Sequence, residues 1–149
     1  MNKNIVPGID VPGIGVGGII INNNKILLLK RKLEPEIDSW CYPGGRLEFG
    51  ETLEDAVIRE IKEEVNLKVI ILKYIGYGNQ ITENYHWVNH TFITQVINGV
   101  EKNIDTAAHS DMQWFDINDL PENLMYVTKQ TIHGLYRFVV NNGVYNDCY

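Results

Sequence analysis

Cysteine is scarce in this chain: the 149 residues hold two, Cys41 and Cys148. Two cannot build a disulfide framework, so the expectation is reduced thiols in a cytosol and a cytoplasmic protein. Long hydrophobic runs are missing as well. No apolar stretch nears the ~20 residues of a membrane span, and the first residues have no charged-then-apolar signal pattern. Positive charge is short: 13 Lys and Arg stand against 19 Asp and Glu, for a net charge of −6. That disfavours binding along nucleic acid, which needs basic surface. There is no internal repeat, linker or low-complexity tract. What remains, 44% hydrophobic and 21% charged residues, is the composition of a soluble globular protein. The length predicts a single domain over residues 1–149.

One stretch organises the rest: Gly45 to Leu67, GRLEFGETLEDAVIREIKEEVNL. Thr52 is a good N-cap, and Asp55 completes a Thr-x-x-Asp capping pattern. No Pro or Gly intervenes before Asn66, which suits the left-handed turn that ends a helix. The spacing predicts a helix over 53–65. Wound at about 100° per residue, Leu53, Ala56, Val57, Ile61 and Val65 share an apolar face. Asp55, Arg59 and Lys62 lie opposite, beside an exposed Ile58. Glu60 and Glu64 fall inside the apolar arc and Glu63 at its edge. Glutamates aimed at the body of a protein need compensating cations, and one Arg59 cannot pair with all three. A divalent metal is the simpler partner, and all-oxygen ligands suit Mg²⁺, with Mn²⁺ as a substitute.

The flanking segments read as strands and turns. Gly15–Ile21 and Lys25–Lys32 are predicted strands around an Asn22-Asn23-Asn24 turn, after a Pro/Gly-punctuated extended segment over 1–13. Arg31, in the basic trio Lys30-Arg31-Lys32, is the candidate phosphate clamp, because guanidinium grips phosphate oxygens in a bidentate fork. In the Pro43-Gly44-Gly45 turn, Gly44 and Gly45 let backbone approach a ligand. Trp40 is expected to pack rather than bind. Further strands are expected over 68–77, 86–97 and 111–116. Polar loops are expected over 78–85 and 101–110, the second mobile, and a final helix within 122–141. Irregular alternation of strands and helices predicts an α/β fold, an α/β/α sandwich around a central mixed sheet. His86, His90, His109 and His133 have no metal spacing. His86 and His90 share a strand face, and His86 is a candidate wall of the substrate pocket.

Gly45, Glu51, Arg59-Glu60-Ile61, Glu63-Glu64 and Asn66-Leu67 resemble the Nudix box of the MutT-type hydrolases. Only Asn66 departs, standing where the family usually has Gly. The resemblance implies the α/β/α Nudix fold and a metal site made by Glu60, Glu63, Glu64 and the Gly45 carbonyl. It also implies that Glu51 and Arg59 form a structural ion pair. The metal would neutralise a pyrophosphate, polarise phosphorus and lower the pKa of water, splitting a nucleoside diphosphate linked to a group X.

Further stretches, VPGIGVGGII, KRK, PGGRLEFGET, ENYHWV and MQWFDINDLP, are similar to nucleoside-triphosphate diphosphatases acting on oxidised guanine and thiopurine nucleotides. The implied products are a nucleoside monophosphate and pyrophosphate, and the implied assembly is a homodimer. Three alternatives stand beside this reading. ADP-ribose hydrolases usually carry a Pro some 15–16 residues past the box, where Thr82-Glu83 stand here. Dinucleoside-polyphosphate hydrolases carry a Tyr slightly further on, matched roughly by Tyr85. A nucleotide-sensing domain would usually have lost box glutamates, all of which are present. Trp40, Tyr85, His86 and Trp114 are the candidates to contact the base.

Overall fold

The computed structural model describes residues 4–142; Cys148 lies outside them. The first hairpin joins β1 (Gly13–Asn22) to β2 (Lys25–Arg31) through Asn23 and Asn24, at φ 48° and 59°. Asparagine tolerates that left-handed region better than most side chains. The two strands pair with each other only at the closed end, Ile21 with Ile26 and Asn22 with Lys25. Beyond it they diverge into a fork, which the next segment fills. There β3 (Trp40–Cys41) pairs with β2, and β4 (Gly44–Arg46) pairs with β1.

The other edge of β1 runs parallel to β6 (His86–Asn98), from Gly13 opposite Trp87 to Ile21 opposite Gln95. β6 forms a long antiparallel hairpin with β5 (Lys68–Ile81), the outer strand on that side. β7 (His109–Asp116) pairs with β2. The result is one mixed seven-stranded sheet. Successive residues of a strand point to opposite faces, so Ile19 and Ile20 feed different cores. α1 (Leu53–Val65) covers one face, packing Val57, Ile61 and Val65 with Ile20, Leu27 and Phe92. α2 (Tyr126–Asn141) covers the other, packing Ile132, Leu135 and Val139 with Ile19, Ile26 and Leu28. Each such buried aliphatic side chain contributes roughly 1.5–3 kcal/mol. The α/β/α sandwich expected from the sequence is the fold observed. Among the described residues, no helix is long and apolar enough to cross a membrane.

Several local expectations give way to tertiary pairing. β5 continues through Gly78–Ile81, expected as loop, because these residues stay in register with His86–Asn89 of β6. The N-terminal segment is not extended: Gly8 N–H donates to the Val11 carbonyl and Asp10 N–H to that of Val6, folding a turn. Ile58 is half-buried and packs against the α1 core. The final helix starts at Tyr126, whose N–H donates to Glu36 Oε1 from the loop after β2. The stretch 101–108, expected to be mobile, is tied down. Lys102 and Ile104 N–H groups donate to the Val65 and Glu64 carbonyls, and Ala108 carbonyl accepts from Lys32 N–H.

α1 ends as its sequence predicts. Thr52 Oγ1 accepts from Asp55 N–H at 3.0 Å, and Asn66 sits at φ 62° with its N–H on the Lys62 carbonyl. Asn66 Nδ2 also donates to the Val100 carbonyl, while Oδ1 accepts from Lys62 Nζ. Asn66→Ala should therefore lower unfolding free energy by about 1–2 kcal/mol, and Asn66→Gly, which keeps the backbone free, by less. Urea unfolding of the three proteins checks this.

Candidate active site

The glutamates of α1 are divided by Arg59. Its Nε and Nη2 form a bidentate pair with Glu51, at 2.5 and 3.0 Å. Nη1 reaches Glu60 at 2.8 Å and Glu63 at 3.3 Å, and Nη2 also donates to the Arg46 carbonyl. The Arg59 hydrogen bonds hold the Glu51 carboxyl down at about 2. Glu60 shifts the other way: burial raises it more than Arg59 lowers it. Glu64 is outside the reach of that guanidinium. Burial pushes its carboxyl up to about 8, against the lowering effect of the Gly44 N–H, which donates to Oε2 at 2.9 Å. A buried carboxylate with only a partial dipole beside it is costly when charged.

Two residues that the sequence did not mark as site residues face Glu64. The anchored 101–108 stretch brings Asp105, and the first residue of β7 brings His109. His109 Nε2 lies 3.9 Å from Glu64 Oε1, and one donor atom from each of Glu64, Asp105 and His109 lies within 4.8 Å of the others. His109 is 5% exposed. Burial lowers its pKa, favouring the neutral ring, and its Nδ1 is buried without a hydrogen-bond partner. The histidines have no metal spacing along the chain; the fold supplies the proximity of His109 to Glu64 that spacing does not.

The fork between β1 and β2 brings backbone to the same place. A Cβ on Gly45 would overlap the Glu60 carboxyl, and a Cβ on Gly44 would overlap the Val16 carbonyl oxygen. Only glycine lets β4 lie between β1 and the helix. A cavity of about 450 Å³ opens beside this turn, the size of a nucleotide pocket. Its wall includes Gly44, Gly45, Glu64 and His109 together with Gln80, Tyr85, Trp87, Asn89, Met125 and Val127. Gly15, Val16 and Gly17 of β1 also line it, and a Cβ on Gly15 would overlap the Asn89 side-chain oxygen.

Arg31 lines the cavity, but its Nε donates to the Pro35 carbonyl at 2.8 Å and its Nη2 reaches the Leu33 and Glu34 carbonyls. Gripping phosphate would require exchanging those bonds. His86 is not in the wall. Trp87, Asn89 and Thr91 line it, whereas His90, in phase with His86, contacts Tyr74 and Tyr77 on the α1 face. Of the four residues expected to contact a base, Tyr85 alone lines the cavity. Trp40 packs edge-on against Phe115 at 4.8 Å, and Trp114 donates to Glu101. Trp87 and Asn89 were missed because the bounds of β6, read correctly from His86, give its two faces but not which of them lines the cavity.

The expected set of Glu60, Glu63 and Glu64 is not gathered around one point: Glu60 and Glu63 are held by Arg59, and among the described residues the group whose donor atoms lie within 4.8 Å of one another is Glu64, Asp105 and His109. Comparison with known proteins identifies the family. The family model described as NUDIX domain matches residues 11–135. The chain is 41% identical over 113 residues to an ADP-ribose pyrophosphatase of Methanocaldococcus jannaschii, covering 74% of this chain and 66% of that protein. It is 30% identical over 104 residues to a putative 8-oxo-dGTP diphosphatase of Bacillus subtilis, covering 69% of this chain and 66% of that one. The match thus spans just under two thirds of each relative's length. Among solved structures, a MutT NUDIX hydrolase from Burkholderia pseudomallei superposes with a TM-score of 0.78 at 30% identity, over 83% of this chain and 97% of that one.

Proposed function

Because this chain belongs to the Nudix family, we propose that it is a divalent-metal-dependent pyrophosphohydrolase, working as one domain on a nucleoside diphosphate linked to a group X. The observation that carries this reading is Glu64: a largely buried carboxylate beside the Gly44 N–H, at the wall of a nucleotide-sized cavity. The charged residues of the wall are two arginines, Arg31 and Arg46, and two glutamates, Glu34 and Glu64. A polyphosphate entering such a balanced wall needs cations to come with it. When bound, Mg²⁺ or Mn²⁺ supplies charge neutralisation and Lewis acidity at phosphorus.

Glu60, Glu63, Glu64 and the Gly45 carbonyl hold the metal in this proposal. Glu51 sets the guanidinium of Arg59, which in turn orients Glu60 and Glu63. Gly44 N–H fixes the Glu64 carboxyl. The Asn89 amide, which lies over Gly15, offers the base a hydrogen-bonding group in the cavity wall. Positioning and electrostatics carry such reactions.

The first reading of the substrate is a nucleoside triphosphate cleaved to the monophosphate and pyrophosphate. The similarity of the flanking stretches and the Bacillus relative support it. The second is ADP-ribose, favoured by the 41% identity to the archaeal relative despite the missing proline past the box. The homodimer belongs to the same proposal: the outer strand β5 exposes Ile70, Leu72 and Tyr74, a surface a second copy would cover, and light scattering at two concentrations tests it.

The deciding experiment incubates the protein and Mg²⁺ with common and 8-oxo deoxynucleoside triphosphates, ADP-ribose and a dinucleoside tetraphosphate, resolving products by chromatography. Monophosphate with pyrophosphate is the expected result. AMP with ribose phosphate, and triphosphates untouched, would replace the first reading by the second. Silence throughout would leave a nucleotide-sensing domain.

A further inference from the structure

We propose that Glu64, Asp105 and His109 form a cation subsite distinct from the all-oxygen set on α1, one that prefers Mn²⁺ or Co²⁺ to Mg²⁺. This rests on the metal-dependent hydrolase reading above and assigns part of the metal chemistry to residues outside the glutamate motif.

The two sets share only Glu64, and their surroundings separate them. Glu60 and Glu63 lie toward Arg59, and the Glu60 carboxyl lies against Gly45. Glu64 Oε1 instead faces His109 across 3.9 Å. That gap is too long for a hydrogen bond and shorter than twice a typical metal–ligand distance of about 2.1 Å, so one ion can bridge the two atoms. Asp105 completes the group within 4.8 Å; its exposed carboxylate accepts one hydrogen bond at Oδ1, from Ala108 N–H at 3.2 Å, which leaves lone pairs for an ion. The imidazole is 5% exposed with Nδ1 unpartnered, an arrangement that leaves the ring's polar capacity unspent inside the protein.

The backbone holds this geometry. Ile104 N–H donates to the carbonyl of Glu64 itself, His109 N–H donates to the Asp105 carbonyl, and Asn103 Nδ2 donates to the His109 carbonyl. Asp105 and His109 are thereby fixed to the last turn of α1. Two carboxylates and an imidazole are a mixed oxygen and nitrogen set. Mg²⁺ keeps oxygen ligands and dehydrates reluctantly, whereas first-row transition ions accept an imidazole, Co²⁺ more strongly than Mn²⁺.

The test is a Mn²⁺ titration of the full chain, followed by loss of the free-ion paramagnetic resonance signal and by pulsed resonance of the bound ion. Modulation from an imidazole nitrogen is expected in the unaltered protein. In His109→Gln it should vanish, with Mn²⁺ affinity falling about tenfold or more and Mg²⁺ affinity changing less. Asp105→Asn should weaken Mn²⁺ with the nitrogen signal retained. Mn²⁺ bound without nitrogen modulation, or modulation persisting in a folded His109→Gln protein, overturns the subsite while leaving the hydrolase reading intact. No binding of either ion, with no metal-dependent hydrolysis, overturns both. Should His109→Gln fail to fold, the signal of the unaltered protein still decides.

Discussion

Glu64→Gln is expected to lower metal-dependent turnover by a factor on the order of 10² to 10⁴, the range for losing one positioned charged or proton-transferring group. The same substitution should raise the stability of the metal-free protein at pH 8. The reason is the burial that lifts the Glu64 carboxyl from the ordinary carboxylate value of 4.5 to about 8. Between those values the folded state holds a proton that the unfolded chain has released. Stability is therefore fully present below about pH 4.5 and falls as pH rises toward 8, by a few kcal/mol if burial acts alone. Gln has no proton to lose and escapes that fall. Melting curves in chelator at pH 5 and pH 8 should show the variant matching the parent at the lower pH and exceeding it at the higher. A metal that binds the carboxylate restores the parent at pH 8 and leaves the variant unmoved. If Gln left turnover intact, Glu64 would not be a metal ligand; if the melting temperatures kept the same gap at both pH values, its carboxyl would be ionised without cost.

Gly44→Ala is expected to be the most damaging added methyl group among the described glycines. Its Cβ would overlap the Val16 carbonyl oxygen and lie 2.8 Å from Gly17 Cα. All of that is backbone, so no rotamer change can yield. β4 would have to leave β1, and the Gly44 N–H would lose its aim at Glu64. Overpacking costs typically 1–3 kcal/mol where neighbours relax; here about 3 kcal/mol or more is expected, with turnover lost in whatever protein still folds. Gly50→Ala is the control. Gly50 stands at φ 89° with nothing within 4 Å of an added Cβ, so it should cost only about 1–2 kcal/mol of backbone strain and leave the cavity unchanged. Denaturant unfolding of both variants separates the two causes.

The helix was the most legible part of the chain. Thr52, the apolar phase and Asn66 place α1 at the bounds observed, because each signal is local and each is met by a local hydrogen bond. The mixed sheet and the two-sided sandwich were legible for a similar reason: β-branched runs such as Gly15–Ile21 bury side chains on both faces. Non-local features were not. Nothing near Gly78–Ile81 says that β6 is long enough to keep pairing with it. His86 was chosen over Trp87 because sequence alternation gives the two faces of a strand but not which face meets the ligand. Asp105 and His109 lie some forty residues beyond Glu64, and their only local signal was an Asp and a His four apart in a polar stretch. Their meeting with Glu64 depends on hydrogen bonds to the end of α1 that composition does not announce.

The parallel pairing of β1 with β6 also sets an order of events during synthesis. Gly13–Ile21 leave the ribosome well before their partners, Trp87–Gln95, and chains grow at roughly 5–20 residues per second. For several seconds the nascent chain can offer the first hairpin, the fork and the complete glutamate helix, but β1 has an open edge and the sheet no centre. Nascent chains ending before His86 cannot lock β1 at all. Those ending between Asn98 and Asp105 can close the sheet around α1 yet still lack two of the three groups that meet at Glu64. The glutamate motif is made early, and the protein becomes able to use it late.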